Sequence, residues 1–283
     1  MATYEPTPKP VIPGPRRGYT DGPFGQIHYQ QLGDGAPLVL LHQAPMTSGQ
    51  FDNVYEPLAR HGFRAIGIDM PGFGMSDPTP FVPTVTDYAQ VVPPVLDALG
   101  IDRAALLGHH TGALAATEAA RLFPDRITAL VLNGPLLVTE EDWKGFLEGL
   151  HQWELGYKAR PSAAHMAELF DIRNRFAAGS IQDERLSDYV VQAMIGKGAF
   201  WYGHHAAYAY RQAEVLPEIK QPTLILTNTG DMIYPHAQRA HEMRPDFAFV
   251  ALEGGGVDIV DQQPEAWADA VANFLKSLPE AGR

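Results

Sequence analysis

The stretch Ala105-Leu106-Leu107-Gly108-His109-His110-Thr111-Gly112 determines how the chain is organised. An apolar run leads into Gly108, a small-residue helix is predicted from Gly112 onward, and His110 lies between the two glycines. Glycine permits the close backbone approach that a tight strand-to-helix turn requires. We therefore predict that this turn projects the His110 side chain away from the backbone and into a pocket.

The same stretch has the spacing of the nucleophile elbow, Gly-x-Ser-x-Gly, with His110 in the position of the serine. The motif predicts a buried strand, a sharp turn and a helix whose first N–H groups face the pocket. The scaffold of an acyl-transfer site is therefore present in the sequence, whereas the hydroxyl nucleophile of such a site is not.

Composition limits the classes of protein and partner. The chain has 283 residues, 45% of them hydrophobic, which is enough for one sizeable core or two modest ones. Its formal net charge of −12 argues against nucleic acid or an anionic membrane as the main partner. The absence of cysteine excludes disulfides, thiolate metal ligands and a cysteine nucleophile. No apolar run approaches a membrane span and no signal-peptide pattern is visible, so we expect a cytoplasmic protein.

Apolar strand-like runs alternate with helical patterns over much of the chain, which predicts a mostly parallel sheet covered by helices. Residues 1–18 are rich in proline and are expected to form an extended arm. The α/β core is predicted over residues 19–135 and 215–283. Between them, residues 136–214 have helical character and many aromatic side chains, and we interpret them as a helical lid inserted before the last two strands.

Five blocks of the chain carry a resemblance to the α/β-hydrolase superfamily, which extends over nearly its whole length after the arm. They are the His-Gly-x-Pro-like turn in residues 40–45, the Asp-x-Pro-Gly-x-Gly-x-Ser-like block in residues 69–77, the elbow in residues 108–112, the loop of the triad acid in residues 229–235, and the glycine-rich loop of the triad histidine in residues 254–266.

The resemblance implies roles for individual residues and also marks two departures. It places oxyanion N–H groups at Ala44 and Thr111 and the triad acid at Asp231. His110 stands where the nucleophile would be, and Val257 stands where the triad histidine would be. Because a Ser-His-Asp relay needs a hydroxyl within reach of a base, we do not expect ordinary serine-esterase chemistry here. The aspartate nucleophile of dehalogenase and epoxide hydrolase relatives is excluded as well.

The two departures lead to the hypothesis of a His110–Asp231 dyad. An imidazole on the elbow reaches farther than a hydroxyl and would occupy the space left free beside Val257. Asp231 would orient the ring, and neutral His110 would take a proton from water or substrate. The N–H groups of Ala44 and Thr111 would stabilise an oxyanion or enolate. The alternative is that His110 is an inert plug, or a core histidine bonded to a backbone carbonyl.

Further candidates for substrate binding surround this dyad. Adjacent histidine pairs lack the spacing of a zinc site, so neither a metal nor another cofactor is expected. Asp258 and Asp261 are interpreted as residues of a solvated loop, Asp261 with a capping role; the alternative is that either one is recruited as an acid. The expected substrate-binding residues are His42, which shapes the oxyanion loop, Gln43, whose amide could meet the substrate, Trp201, Tyr202, His204 and His205 of the lid, and Val257; packing or an ordinary polar lid surface remains the alternative.

The sequence thus predicts an enzyme acting on a small, partly apolar or aromatic carbonyl compound. Hydrolysis of an ester, lactone or C–C bond and lyase-type cleavage both remain open, because the fold does not select the reaction. The alternatives are a non-catalytic ligand-binding protein and an accessory protein whose lid binds a partner. The expected partner is a small molecule, not nucleic acid or a membrane, and a homo-oligomer is possible.

Overall fold

A computed structural model of the chain describes residues 14–279. Its centre is an eight-stranded sheet with the strand order β1-β2-β4-β3-β5-β6-β7-β8. β1 pairs antiparallel with β2 and β2 antiparallel with β4, whereas every other neighbouring pair is parallel. The strands are β1 (Arg16–Gly22), β2 (Gly25–Leu32), β3 (Ala36–Leu41), β4 (Phe63–Ile68), β5 (Ala104–His109), β6 (Ile127–Asn133), β7 (Thr223–Asn228) and β8 (Ala248–Leu252).

Helices cover both faces of the sheet and connect its parallel strands. Short 3₁₀ turns occur at Ser48–Phe51, Glu154–Gly156, Pro161–Ala163 and Leu216–Glu218. The helices are α1 (Tyr55–Arg60), α2 (Val85–Ala89), α3 (Val92–Ala98), α4 (Thr111–Leu122), α5 (Glu140–Gln152), α6 (Ala164–Ala177), α7 (Asp183–Ile195), α8 (Tyr202–Ala209), α9 (Gln212–Val215), α10 (Tyr234–Met243), α11 (Ile259–Gln262) and α12 (Pro264–Ser277).

The continuous apolar runs of the sequence are explained by burial of the strands on both faces. Alternate residues of β3 enter opposite cores, since Val39 packs with Leu114 of α4 on one face and Leu40 with Trp267 of α12 on the other. Such two-sided burial is typical of parallel strands covered by helices. The predicted fold class, a mostly parallel sheet of the α/β-hydrolase type, is confirmed.

The parallel register brings five loops to one edge of the sheet. Leu41 of β3 lies opposite Gly108 of β5, and Gly108 lies opposite Leu132 of β6. Leu132 is opposite Ile225 of β7, which pairs with Phe249 of β8. The segments that leave the carboxyl ends of these strands are therefore neighbours in space, although they are distant in sequence.

The segment between β6 and β7 is helical and contains no strand within its described residues. Met46, in the loop after β3, belongs to a small apolar cluster with Ala177 of α6 and with Leu186 and Tyr189 of α7. The insertion therefore packs directly on the loop that follows the third strand. Its role as a lid remains a proposal.

One boundary differs from the sequence prediction, and one expected break in a helix is present. The strand β1 starts at Arg16, so residues 16–18 belong to the sheet and not to the expected arm; the rest of that arm, residues 1–13, lies outside the described residues. The helical pattern over residues 87–99, in which Pro93-Pro94 is expected to interrupt the helix or delay its start, forms two helices, α2 and α3. A proline in the first turn of α3 explains the break, because proline fits the start of a helix and disrupts its interior.

Candidate active site

The turn between β5 and α4 has the strained backbone that the sequence predicts. His110 has φ 48° and ψ −111°, an unusual conformation for a residue with a side chain. A Cβ atom on Gly108 would lie 2.0 Å from the carbonyl oxygen of Gly112, and a Cβ on Gly112 would lie 2.0 Å from that of Leu41. Both glycines are therefore sterically required, and the turn they permit directs His110 away from the sheet.

The His110 ring lies in hydrogen-bond contact with Asp231. Its Nε2 atom is 2.7 Å from Oδ2 of Asp231, which follows β7 on the same edge of the sheet. The second carboxylate oxygen of Asp231 accepts the Ile233 N–H at 3.1 Å. The ring also rests on Gly134, since a Cβ atom there would lie 2.5 Å from Cδ2 of His110. The imidazole thus has a specific hydrogen-bond partner in Asp231 and packs closely against Gly134.

The contact determines which ring nitrogen of His110 is available. Burial raises the pKa of Asp231, but the nearby His110 ring outweighs that effect and holds the pKa below its usual range. An ionised carboxylate only accepts hydrogen bonds, so Nε2 of His110 carries the proton. Nδ1 makes no hydrogen bond with any residue of the described chain, and His110 lies on a cavity wall. In the neutral ring, Nδ1 therefore has a free lone pair.

Two backbone N–H groups near His110 are also unbonded. The Gln43 N–H donates to Oε1 of Gln50 at 2.9 Å, whereas those of Ala44 and Thr111 have no acceptor within residues 14–279. Thr111 is the first residue of α4, where N–H groups lack helical partners and favour negative charge. Ala44 and Thr111 line the same cavity as His110.

Buried histidines hold this loop in place. His42 donates from Nδ1 to the Gln43 carbonyl at 2.9 Å and accepts the Met70 N–H at Nε2, at 3.0 Å. Gln50 donates to Nδ1 of His109 at 2.6 Å, so the same glutamine links the elbow to the Gln43 N–H. Burial lowers the pKa values of both His42 and His109, which keeps these rings neutral. They act as fixed hydrogen-bonding supports.

A mostly apolar cavity of about 410 Å³ lies between this sheet edge and the helical insertion. Its volume fits a small organic ligand. Most lining side chains are aliphatic or aromatic, and the polar ones are few. The lining residues are Gln43, Ala44, Pro45, His110, Thr111, Leu136, Gly145, Phe146, Gly149, Leu150, Trp153, Glu154, Leu169, Ile172, Arg173, Phe176, Phe200, His204, Ala207, Tyr208, Met232, Ile233 and Val257.

The structure brings most of the predicted site residues together at this cavity. Asp231 contacts His110 but does not itself line the cavity. Four other predicted residues do not line it either. On α8, His204 and Tyr208 are one turn apart and face the cavity, which leaves the neighbouring positions on other faces of the helix. On the wall are Gln43, Ala44, His110, Thr111, His204 and Val257; away from it are His42, Trp201, Tyr202 and His205.

The expectation of a solvated loop at Asp258 and Asp261 is wrong. Asp258 is 2% exposed and forms an ion pair with Arg173 of α6, itself 7% exposed, on the cavity wall. Asp261 accepts hydrogen bonds from Asn53, at 2.6 Å, and from Arg185 of α7, at 3.0 Å. Both carboxylates thus connect the loop after β8 to other elements instead of facing water or capping a helix.

Sequence reasoning also missed Glu154, which lies on the cavity wall and is 8% exposed. Its Oε1 atom is 2.8 Å from Nδ1 of His204. The two residues are 50 positions apart, and Glu154 belongs to a 3₁₀ turn after α5. The only available signal was the unusual position of an acidic residue within a run of aromatic residues.

Within residues 14–279, no cluster of three or more His, Cys, Asp or Glu side chains is arranged to hold a metal ion. The same part of the chain has no helix of sufficient length and apolarity to cross a membrane.

Comparison with known proteins agrees with this fold. The model of the alpha/beta hydrolase fold family matches residues 36–248. A non-heme chloroperoxidase of Streptomyces lividans is 26% identical over 268 residues, covering 89% of this chain and 96% of that protein. A 2-hydroxy-6-oxo-6-phenylhexa-2,4-dienoate hydrolase of Comamonas testosteroni is 34% identical over 117 residues, covering 38% and 40%. The crystal structure of E-2-(acetamidomethylene)succinate hydrolase has a TM-score of 0.78 at 18% identity, covering 93% and 99%.

The chain belongs to the alpha/beta hydrolase fold family, because the family model matches more than half of it. The matches to the first curated relatives span only 38–41% of the length of those proteins. Two of these relatives are named as hydrolases, of 2-hydroxy-6-oxo-6-phenylhexa-2,4-dienoate and of 2-hydroxy-6-oxononadienedioate.

Proposed function

We propose that the protein is an enzyme that cleaves a small, partly apolar or aromatic carbonyl compound by acid–base catalysis without a serine nucleophile. His110 is the general base and Asp231 orients it. The observation that carries this proposal is the 2.7 Å contact between Nε2 of His110 and Oδ2 of Asp231. Nδ1 has no hydrogen-bond partner within residues 14–279, and His110 lines the cavity.

In hydrolysis, Nδ1 of neutral His110 removes a proton from water as the water oxygen adds to the substrate carbonyl. The carbonyl oxygen becomes an oxyanion that accepts the N–H groups of Ala44 and Thr111. Each such donor is worth about 3–4 kcal/mol in the transition state. The oxyanion then collapses, the bond to the leaving group breaks, and the imidazolium returns the proton to that group.

The same groups support lyase-type cleavage. In a retro-aldol reaction, Nδ1 of His110 would remove the proton of a hydroxyl group, the adjacent C–C bond would break, and the two N–H groups would hold the resulting enolate oxygen. The enolate carbon would then take the proton back from the imidazolium. Both reactions use one base and one oxyanion site, so the fold and the site leave the choice to the substrate.

The cavity supports the expected substrate class. Most of its lining is apolar, and five aromatic side chains contribute to it: Phe146, Trp153, Phe176, Phe200 and Tyr208. An apolar pocket with a few convergent polar groups is typical of a small-molecule site. His204, Gln43 and Val257 are proposed to contact the substrate from this wall.

A screen of aryl esters, lactones, vinylogous diketones and β-hydroxy ketones tests the proposal. His110→Ala is expected to lower kcat/KM about 10²–10⁴-fold for any compound that the protein converts, as for loss of a general base. The matched control is His151→Ala, because His151 is an exposed residue of α5. Unchanged turnover in His110→Ala would refute the proposal. A ligand that binds in the cavity and is never converted would favour the non-catalytic alternative.

A further inference from the structure

A second histidine–carboxylate pair faces the cavity from the helical insertion. His204 of α8 and Glu154, in the turn after α5, are joined by the 2.8 Å contact between Nδ1 and Oε1. Both residues lie on the cavity wall, across from the sheet edge that carries His110. We refer to Glu154 and His204 as the insertion pair.

The insertion pair has hydrogen-bond acceptors that no residue of the described chain uses. Glu154 is only 8% exposed, and its Oε2 atom has no hydrogen-bond partner in the described chain. The carboxylate accepts the Nδ1 proton of His204, so Nε2 of the neutral ring carries a lone pair, and it is also unbonded within residues 14–279. Leaving a buried polar atom without a partner costs free energy, which a ligand with a donor group would recover.

The surroundings of the insertion pair favour an aromatic ligand. The Tyr208 ring is stacked between Phe146, at 4.9 Å, and His204, at 5.7 Å, with interplanar angles of 6° and 7°. Trp153, next to Glu154, packs edge-on against Phe200 at 5.5 Å. These rings line the cavity together with the insertion pair, so a flat ligand can pack against them while it donates a hydrogen bond to Glu154.

We infer that the substrate is a phenol-type compound, with an aromatic ring whose hydroxyl donates to the carboxylate of Glu154 and whose carbonyl-bearing end meets the Ala44 and Thr111 N–H groups. This inference rests on the proposed function only in assigning the same cavity to the substrate. The insertion pair is a specificity site, and His110 does the chemistry at the opposite end.

The test compares the binding of 4-nitrophenol and 4-nitrotoluene, which differ by a hydroxyl in place of a methyl group. Calorimetry on the intact protein is expected to show about 10-fold or greater preference for 4-nitrophenol, as for a hydrogen bond to a charged group. Glu154→Gln replaces the free acceptor by an N–H donor, and we expect the preference to fall to about 2-fold or less. The matched control Glu148→Gln alters an exposed residue of α5 and should keep the wild-type preference.

Absorbance gives a second readout that does not depend on any variant. At a pH where free 4-nitrophenol is half ionised, binding as a neutral donor beside Glu154 should reduce the nitrophenolate band. Equal affinity of the wild-type protein for the two compounds, or growth of the phenolate band on binding, would overturn the inference. The preference for 4-nitrophenol should persist in His110→Ala. If His110 is not the base, the binding preference is unaffected; if the preference is absent, the turnover test of His110 is unaffected.

Discussion

The two histidine–carboxylate pairs of the cavity differ in how much of their hydrogen-bonding capacity the protein itself uses. At the sheet edge, both oxygens of Asp231 have partners within the protein, namely His110 and the Ile233 N–H. In the insertion pair, Oε2 of Glu154 has none among the described residues. The sheet-edge pair therefore fixes the His110 ring in one tautomer, whereas the insertion pair has a carboxylate oxygen available to accept a hydrogen bond from a ligand.

The supports of the two pairs differ as well. His110 is held by a glycine-bracketed turn between β5 and α4, and its ring fits against Gly134. Glu154 and His204 lie on a three-residue 3₁₀ turn and an eight-residue helix. Catalysis requires reacting groups in a fixed geometry, and sites on rigid elements provide it better. This difference supports the proposal that the chemistry takes place at the sheet edge and that the insertion recognises the substrate.

The largest expected effect comes from neutralising each carboxylate in turn. Asp231→Asn is expected to lower kcat about 10²–10⁴-fold, because an amide can donate to Nε2 and place the proton on Nδ1. Glu154→Gln should change kcat less than about 10-fold and act mainly on KM, as for binding that is equal in ground and transition states. Steady-state kinetics on a converted compound measures both. An equal loss of kcat in the two variants would contradict the proposed division into a catalytic pair and a binding pair.

The second prediction concerns the ion pair that joins the insertion to the loop after β8. Arg173→Leu leaves Asp258 buried without its partner, which is expected to cost about 3–5 kcal/mol in the free energy of unfolding. Arg175→Leu, at an exposed position of α6, serves as the matched control and should cost little. Urea denaturation measures both variants. A loss below about 1 kcal/mol in Arg173→Leu would show that the pair does not anchor the insertion.

The third prediction tests the packing of the His110 imidazole against Gly134. Gly134→Ala introduces a Cβ atom 2.5 Å from Cδ2 of His110 and should displace the ring, with a loss of about 100-fold in kcat/KM. Gly100→Ala is the matched control, because Gly100 has φ +65° against +68° for Gly134 but no atom within 4 Å of its Cβ position. Backbone strain is thus similar in both variants. Equal kinetics in the two would exclude a steric role for Gly134.

The fourth and smallest effect is the pH dependence of stability. Burial lowers the pKa values of His42 and His109, and burial together with Arg239 lowers that of His236 to about 4. The unfolded chain therefore binds protons between about pH 6.5 and 4 that the folded chain does not, so stability falls as the pH falls through this window. Denaturation at several pH values should show this decline, and His236→Gln should reduce its slope. A stability that is flat or rises toward pH 4 would contradict the assignment.

The sequence predicted the sheet edge because its signals are local. The buried run before Gly108, the two glycines and the loop after β7 each occupy a few consecutive residues, and the parallel register then aligns them. Even the contact between His110 and Asp231 followed from two substitutions within known blocks. Local sequence carries this information because turn geometry and strand burial are local constraints.

The insertion was predictable only as helical and aromatic. The contact between Glu154 and His204 joins residues 50 positions apart, and that between Arg173 and Asp258 joins residues 85 apart, with no periodicity that links them. Trp201, Tyr202 and His205 were expected at the cavity because the start of α8 was not known. The helix begins at Tyr202, and its period then places His204 and Tyr208 on the face that lines the cavity.

The most direct test of the central claim is the protonation pattern of the His110 ring, measured by nitrogen NMR on histidine-labelled protein. The signal is assigned by its loss in His110→Ala and recorded at a pH where the imidazole is neutral. We predict a proton on Nε2, hydrogen-bonded to Asp231, and a bare Nδ1, with the Nε2 proton signal shifted in Asp231→Asn. A neutral ring that carries its proton on Nδ1 would contradict a His110 base that acts through that atom.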